Sequence, residues 1–153
     1  MNTTSDRSRR VRRLAQIAEA KTRQSAVREA GHRQQFEEAA ARLAQLRRYR
    51  EEYAARAATP GAWQGRDLEE FRRFLDRLDR AISEQDALVR QAASLSARSA
   101  EDVRESWRAA RAIDLLGERV DATRREVEAR AEQRDNDDDA TRTRSNDTGA
   151  AIA

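Results

Sequence analysis

The stretch AATPGAWQGR, residues 57 to 66, decides the fold because it is the one strong break in a chain of helix-forming residues. It holds Pro60, the single proline, and two of the five glycines, Gly61 and Gly65. Proline lacks a backbone N–H and disfavours helical geometry in the residue before it, while glycine adopts turn dihedrals freely. The stretch therefore predicts a short turn between two helices that fold back on each other as an antiparallel hairpin.

The composition on both sides of this turn favours long helices over a globular core. Of 153 residues, 39% are charged and only 5% are aromatic, and alanine supplies much of the 38% hydrophobic fraction. Few large side chains are available to offset the entropy of a compact chain, whereas this mixture is typical of coiled coils. Cysteine is absent, which excludes disulfides and thiolate metal sites. No apolar stretch is long enough to predict a membrane span.

After the turn, small and apolar residues recur at alternating steps of three and four residues, which is the coiled-coil pattern. The predicted seam consists of Leu68, Phe71, Leu75, Leu78, Ile82, Gln85, Val89, Ala92, Ser96, Ser99, Val103, Ser106, Ala110, Ile113, Gly117, Val120, Arg124 and Val127. Serines weaken the middle of this seam, and Ser99 and Asp102 have capping-box spacing that could start a separate helix. Because the phase of the seam is unbroken, we prefer one continuous helix over residues 67–134, with Asp67 as its N-cap.

The same spacing precedes the turn and predicts a first helix over residues 8–57, which leaves 58–66 as the turn. Its seam consists of Ala15, Ala18, Thr22, Ser25, Phe36, Ala39, Leu43, Leu46, Arg50, Tyr53 and Ala57. A turn centred near Gly61 would place Arg47 opposite Leu75. Residues 135–153 mix like charges with small polar residues and predict a disordered acidic and polar tail. The predicted fold is all-α, an antiparallel two-helix coiled-coil hairpin over 1–134 with that tail.

The sequence contains no motif for catalysis or for a cofactor. It has no Gly-rich phosphate loop, zinc motif or nucleophile motif. His32, the single histidine, falls on the projected seam, and the aspartates at 137–139 lack the spacing of a calcium loop. We predict a protein that is not an enzyme and holds neither metal nor cofactor.

Two stripes with aromatic residues accompany the seam near the turn. The first consists of Leu46, Tyr49 and Tyr53, and the second of Phe74, Leu78, Ala81 and Gln85. They either widen the two-helix core or form a docking strip, since aromatic side chains on a rigid helix are good interface anchors. The residues alone leave both interpretations open.

Charge is distributed unevenly along the chain. Thirty-one basic residues, all arginine except Lys21, face 28 acidic ones, which gives a net charge of +3. The first 34 residues are strongly basic, and such an arm can attract nucleic acid or anionic lipid, or simply be a solvated start of a helix. The small net charge and the absence of an aromatic stacking platform argue against nucleic acid as a partner. A basic nucleic-acid-binding coiled coil and a purely structural spacer remain the alternative functions.

The order of these blocks resembles the FliJ family, small components of the bacterial flagellar type III export system. The matching blocks are LAQIAEAK (14–21), LAQLRRYREEY (43–53), FRRFLDRLDRAISEQ (71–85), VRESWRAAR (103–111) and EQRDNDDDATR (132–142). The most specific parts are the pair Tyr49 and Tyr53 before the turn, the Phe/Leu/Ala-Ile block after it, and the Ser-Trp pair. The resemblance covers most of residues 14–142.

This resemblance implies a non-enzymatic role in flagellum biogenesis and motility. Members of the family resemble the central stalk of rotary ATPases and work with the export ATPase and its regulator, the membrane export gate and export chaperones. We therefore expect a cytoplasmic protein, held peripherally at the cytoplasmic face of the membrane through the export apparatus.

The resemblance also implies two partner-binding regions. The face toward the cytosolic domain of the gate would comprise Leu46, Tyr49, Tyr53, Phe74, Leu78 and Ala81. Arg42 and Gln85 depart from the family pattern, which can carry glutamine and histidine at these two positions. The region toward the ATPase would comprise Arg9, Arg10, Arg12, Arg13, Arg124 and Arg130.

Overall fold

The computed structural model describes residues 3–61 and 63–150, with side chains for 4–61 and 63–144. Helix α1 runs Thr3–Ala57 and helix α2 runs Arg66–Ala150, and the described residues contain no strand. The predicted all-α two-helix hairpin is confirmed. Helix α2 is also continuous through its serine-rich middle, as the unbroken seam predicted.

The turn forms where Pro60 and its glycines predicted it. Helix α1 tightens as it ends, because the Thr59 N–H donates to the carbonyl of Arg56, three residues back, at 3.2 Å. Gly61 and Gly65 have φ angles of +81° and +57°. Side chains other than glycine are strained in this left-handed region, so the turn requires both glycines.

The helix starts differ from the prediction by one to five residues. Helix α1 begins at Thr3 rather than near residue 8, since no residue between Thr3 and Ser8 breaks a helix and Asp6 stabilises the first turn. Helix α2 begins at Arg66, so Asp67 lies inside the first turn and is not its N-cap. The Glu69 N–H donates instead to the carbonyl of Gly65, at 3.4 Å.

The chain divides into two compact units, each an antiparallel pair of helical segments. The turn unit is Lys21–Ser106, and the end unit combines Met1–Ala20 with Trp107–Ala153.

In the turn unit the seam is buried as the spacing predicted. Leu43, Phe71 and Leu78 are the most buried apolar side chains, and every predicted seam residue of α2 from Leu68 to Ser106 is buried or half-buried. On α1 the exception is Arg50, which is exposed. Apolar burial of this kind is the main force that holds two amphipathic helices together.

The part of the turn unit far from the turn has a polar seam. Thr22 Oγ1 donates to the carbonyl of Ser106 at 3.3 Å, and the hydroxyls of Ser25 and Ser106 lie 3.2 Å apart. Ser99 is also buried, but its hydroxyl has no hydrogen-bond partner among the described residues. The Nδ1 atom of His32, buried in the same seam, lacks one as well.

The end unit joins the two ends of the hairpin through a mixed core. Val11 and Val120 are buried, and Ser8 Oγ donates to Asp121 Oδ1 at 2.6 Å. The predicted seam continues here to Arg124, which is half-buried. Val127 was predicted to belong to it but is 49% exposed.

The register of the hairpin differs from the symmetric one by about one heptad. A turn centred near Gly61 would place Arg47 opposite Leu75 and Arg50 opposite Arg72. Instead, Arg50 forms an ion pair with Asp79, seven residues further along, and Arg47 reaches Asp86. The turn is asymmetric because Trp63 lies back along the first turns of α2, where it stacks on Phe71 at a centroid distance of 4.9 Å.

Beyond the seam, α2 continues as an exposed helix. All described side chains from residue 125 to 144 are exposed, and hydroxyls such as that of Thr141, which donates to the carbonyl of Asp137 at 2.8 Å, bond within the helix. The structure thus extends α2 into the segment for which the composition predicted disorder. A single helix without a buried face is only marginally stable in water, so disorder over 135–153 stays a prediction for the protein in solution.

Candidate functional site

The six residues predicted to form a docking face lie in the turn unit, three on each helix. We refer to Leu46, Tyr49, Tyr53, Phe74, Leu78 and Ala81 as the docking face. The rings of Tyr53 and Phe74 lie 4.9 Å apart between centroids, with planes inclined by 59°. Tilted ring pairs of this kind are favourable, because the edge of one ring meets the face of the other. This contact brings the two stripes together across the helices.

The members of the docking face differ in what they can offer a partner. Tyr49 is 46% exposed, and its hydroxyl accepts a hydrogen bond from Gln45 at 3.5 Å. Tyr53, Phe74, Leu46 and Ala81 are half-buried. Leu78 is only 9% exposed, so it belongs to the core. Leu78 thus fits the interpretation in which these residues only widen the core, whereas Tyr49 does not.

One flank of the seam is polar in the turn unit. Arg50 Nε lies 2.9 Å from Asp79 Oδ1, Arg47 lies 3.3 Å from Asp86, and Arg90 lies 3.3 Å from the other oxygen of Asp86. On α2 these aspartates directly follow the seam residues 78 and 85. Ion pairs between the helices therefore occupy this flank.

The other flank is apolar. Four residues of α2, each directly before a seam residue and seven apart, lie on it: Phe74, Ala81, Leu88 and Leu95. Tyr49 has the same position on α1, directly before Arg50. Leu88 is 53% exposed and Leu95 is 40% exposed. The docking face thus continues along α2 as an apolar stripe.

The arginines predicted to meet the ATPase lie in the end unit, and four of the six are already held by carboxylates. Their ion pairs are Arg9 with Asp6, Arg12 with Asp121, Arg124 with Glu128, and Arg130 with Glu126. Arg10 and Arg13 form no ion pair with a described residue. With Asp6 and Arg9 they line a shallow concavity of about 440 Å³ on α1.

Two carboxylates that join the helices are stabilised in the charged form. The hydrogen bond from Ser8 lowers the pKa of Asp121, and nearby arginines, Arg12 first among them, lower it further against the effect of burial. The hydrogen bond from Arg50 lowers the pKa of Asp79 in the same way. Both carboxylates therefore remain ionised at neutral pH and keep their partners.

A family model described as Flagellar FliJ protein matches residues 8–148 of the chain. The chain belongs to the FliJ family. No curated protein and no solved structure shows significant similarity to it. The match extends beyond both ends of the region over which the sequence blocks resembled the family.

Membership of the FliJ family makes the chain a component of flagellar type III protein export. The family is non-catalytic, which is consistent with the prediction that the chain is not an enzyme. Among the described residues, no group of carboxylates and histidine could hold a metal ion. None of the described helical segments is apolar enough over a sufficient length to cross a membrane.

The two departures from the FliJ pattern lie differently in the structure. Gln85 is half-buried and donates through Nε2 to the carbonyl of Ala39 at 3.0 Å, so its amide joins the two helices. Arg42 is exposed. Gln85 thus contributes to the hairpin itself, whereas Arg42 remains accessible at the margin of the docking face.

Three residues beside the docking face were not predicted from the sequence. Leu88 and Leu95 could have been found, because they continue the seven-residue step from Phe74 through Ala81. Trp63 gave no such signal, since its stacking on Phe71 depends on how the turn folds back.

Proposed function

We propose that the chain is a stalk and adaptor of flagellar export that couples the export ATPase ring to the membrane export gate and escorts export chaperones. In this role the docking face contacts the cytosolic domain of the gate. The end unit contacts the ATPase and its regulator. The protein would then act at the cytoplasmic face of the membrane, held there only through the export apparatus.

The observation that carries the proposal is the contact between Tyr53 and Phe74, with exposed Tyr49 nearby on α1. It supports a docking face, because aromatic groups from both helices meet at the surface of the turn unit. A structural spacer has no need of such a surface. Rigid aromatic anchors lose little conformational entropy when a partner binds.

A pull-down with the cytosolic domain of the gate and with the export ATPase tests the docking face. The Tyr49→Ala/Phe74→Ala variant should lose the gate and keep the ATPase, while circular dichroism shows that it is folded. Val27→Ala, which truncates another exposed apolar residue of the turn unit, should keep both partners. Normal gate binding and normal swimming by a folded double variant would exclude the docking face.

The end unit is tested through stimulation of the ATPase hexamer. Arg10→Ala/Arg13→Ala removes the two arginines that no described carboxylate holds, and it should weaken stimulation at moderate salt. The matched control is Arg48→Ala/Arg80→Ala, which removes two exposed arginines from the turn unit. Equal stimulation by both variants and by the unaltered protein would refute the proposed ATPase contact.

The nucleic-acid alternative predicts a different outcome. Binding to phosphates falls steeply as salt rises, because counterions are released on association. If the chain is not a nucleic-acid-binding protein, a titration against duplex DNA should show weak binding at low salt and none at physiological salt. Tight binding that persists at physiological salt would favour the alternative.

A further inference from the structure

An aromatic groove lies in the turn unit beside the turn. It has a volume of about 370 Å³, and the aromatic residues that line it are Tyr53, Trp63, Phe71 and Phe74. Trp63 and Phe71 are stacked, with ring centroids 4.9 Å apart and planes inclined by 28°. Tyr53 and Phe74 form the second ring pair described above. Trp63 remains 37% exposed, so part of the aromatic surface is open to solvent.

Charged side chains complete the lining of this groove. They are Asp67, Glu70 and Arg77, which share one face of α2 with Phe74 because helical residues three and four apart are neighbours. Neither Asp67 nor Glu70 forms an ion pair with a described residue, whereas the adjacent Glu69 binds Arg73 at 2.9 Å. Two carboxylates thus stand beside aromatic rings in a chain whose net charge is +3.

Aromatic rings favour a cation over other ligands here, because the two carboxylates outnumber the single guanidinium of Arg77 and the lining is negative on balance. The face of an aromatic ring carries partial negative charge and attracts guanidinium or ammonium groups. The aliphatic stem of arginine or lysine packs on the ring surface while its charged head reaches a carboxylate. The turn unit already contains one contact between a cation and a ring, because the guanidinium of Arg56 lies 5.3 Å from the centroid of the Tyr53 ring.

We propose that this groove binds a basic side chain, arginine above all, presented by a peptide segment of a partner protein. Arginine fits best because its planar guanidinium stacks on rings and pairs with carboxylates. An acidic segment would meet the carboxylates of Asp67 and Glu70, and a purely apolar one would leave them without a partner. The inference goes beyond the export role proposed above, since it holds whichever protein supplies the segment.

Fluorescence of Trp63 in the full chain provides the measurement. Trp107→Phe removes the other tryptophan, which lies in the end unit and is 63% exposed. The probe is a blocked pentapeptide with a central arginine and two leucines on each side. Its twin carries neutral citrulline in place of arginine. The arginine peptide should bind about three- to tenfold more tightly, because only it has a cation for the rings and carboxylates.

Two matched substitutions locate the effect without altering side-chain size. Glu70→Gln should weaken binding of the arginine peptide about two- to fivefold and leave the citrulline peptide unaffected. Glu69→Gln, next to it but outside the groove, should change neither. Equal affinity for the two peptides, or an equal effect of Glu69→Gln and Glu70→Gln, would overturn the proposal. Because no gate or ATPase is present, failure here would leave the proposed export role standing.

Discussion

Arg50 and Asp79 join the two helices through a pair of hydrogen bonds, from Nε to Oδ1 at 2.9 Å and from Nη2 to Oδ2 at 3.5 Å. The two residues are 29 positions apart, so the contact fixes the register of the hairpin within the turn unit. It also explains why Arg50 can occupy a seam position while remaining exposed. The side chain leaves the apolar seam and reaches a carboxylate on its flank.

Reversing this pair tests the register. We expect Arg50→Asp and Asp79→Arg each to lower the melting temperature, because each places two like charges together. The double reversal should recover most of the loss at low salt, as measured by thermal circular dichroism. If the double variant melts no higher than the single variants, the two side chains do not meet in solution.

Glycines at different positions should respond oppositely to the same substitution. Gly31→Ala should raise the free energy of unfolding by about 0.5–1 kcal/mol, because an added Cβ meets nothing within 4 Å and alanine favours the helix. Gly65→Ala should lower it by about 1–2 kcal/mol, since its φ angle of +57° strains other residues. Urea denaturation measures both, and stabilisation by Gly65→Ala would contradict the turn geometry.

Replacing two serines of the polar seam by alanine should change the free energy of unfolding in opposite directions. Ser99→Ala should raise the free energy of unfolding by about 1 kcal/mol, because it removes a buried hydroxyl that lacks a described partner. Ser106→Ala should lower it by about 1 kcal/mol, because it leaves the buried hydroxyl of Ser25 without its partner. Equal destabilisation by both would show that Ser99 is hydrogen-bonded in solution.

The pH dependence of stability should report on Asp121. Its pKa is lowered in the folded protein from an ordinary value of 3.8, chiefly by the hydrogen bond from Ser8. The stability that ionised Asp121 adds to the folded protein is therefore fully present above about pH 4, and it is lost as the pH falls through the lower pKa of the folded state. Ser8→Ala should weaken the acid-dependent loss of melting temperature below pH 4. Asp6→Asn, which replaces an exposed carboxylate, is the control and should change the pH dependence of the melting temperature less. An equal change would exclude the hydrogen bond from Ser8 as the main cause of the lowered pKa.

The segment after Arg134 should be dispensable for the stability of the hairpin. Its described side chains are exposed, so we expect the chain truncated after Arg134 to melt at the same temperature as the full chain. Hydrogen exchange of the full chain should show unprotected amides from residue 135 onward, if the predicted disorder holds. A clear loss of melting temperature on truncation would instead mean that this segment packs on the hairpin.

Much of the fold could be predicted because it follows from local rules. Pro60 with Gly61 and Gly65 locates the turn, and the end of α1 at Ala57 agrees with the prediction. The unbroken three-and-four spacing locates the seam, which is buried as expected apart from Arg50 and Val127. These features depend on backbone geometry and on the helical period, both of which can be read directly from residue order.

The candidate site was predictable only in part. The sequence determined which residues share a helical face, so the stripes with Tyr49 and Phe74 could be named in advance. It also placed Leu78 on the seam, where that side chain is buried. It did not determine that Gln85 bonds to the backbone of α1, because this contact depends on the rotation of each helix about its own axis, which is set by packing against the other helix.

By itself, then, the sequence determined that two amphipathic helices are joined by one turn. The spacing of apolar residues and the helix-breaking proline and glycines affect the chain only a few positions away, so their effects can be read from residue order. Tertiary structure alone decided the register, through Arg50 with Asp79 and the backward fold of the turn that stacks Trp63 on Phe71. A heptad seam is nearly the same after a shift of seven residues. Only contacts between residues far apart in the chain can distinguish one register from the next.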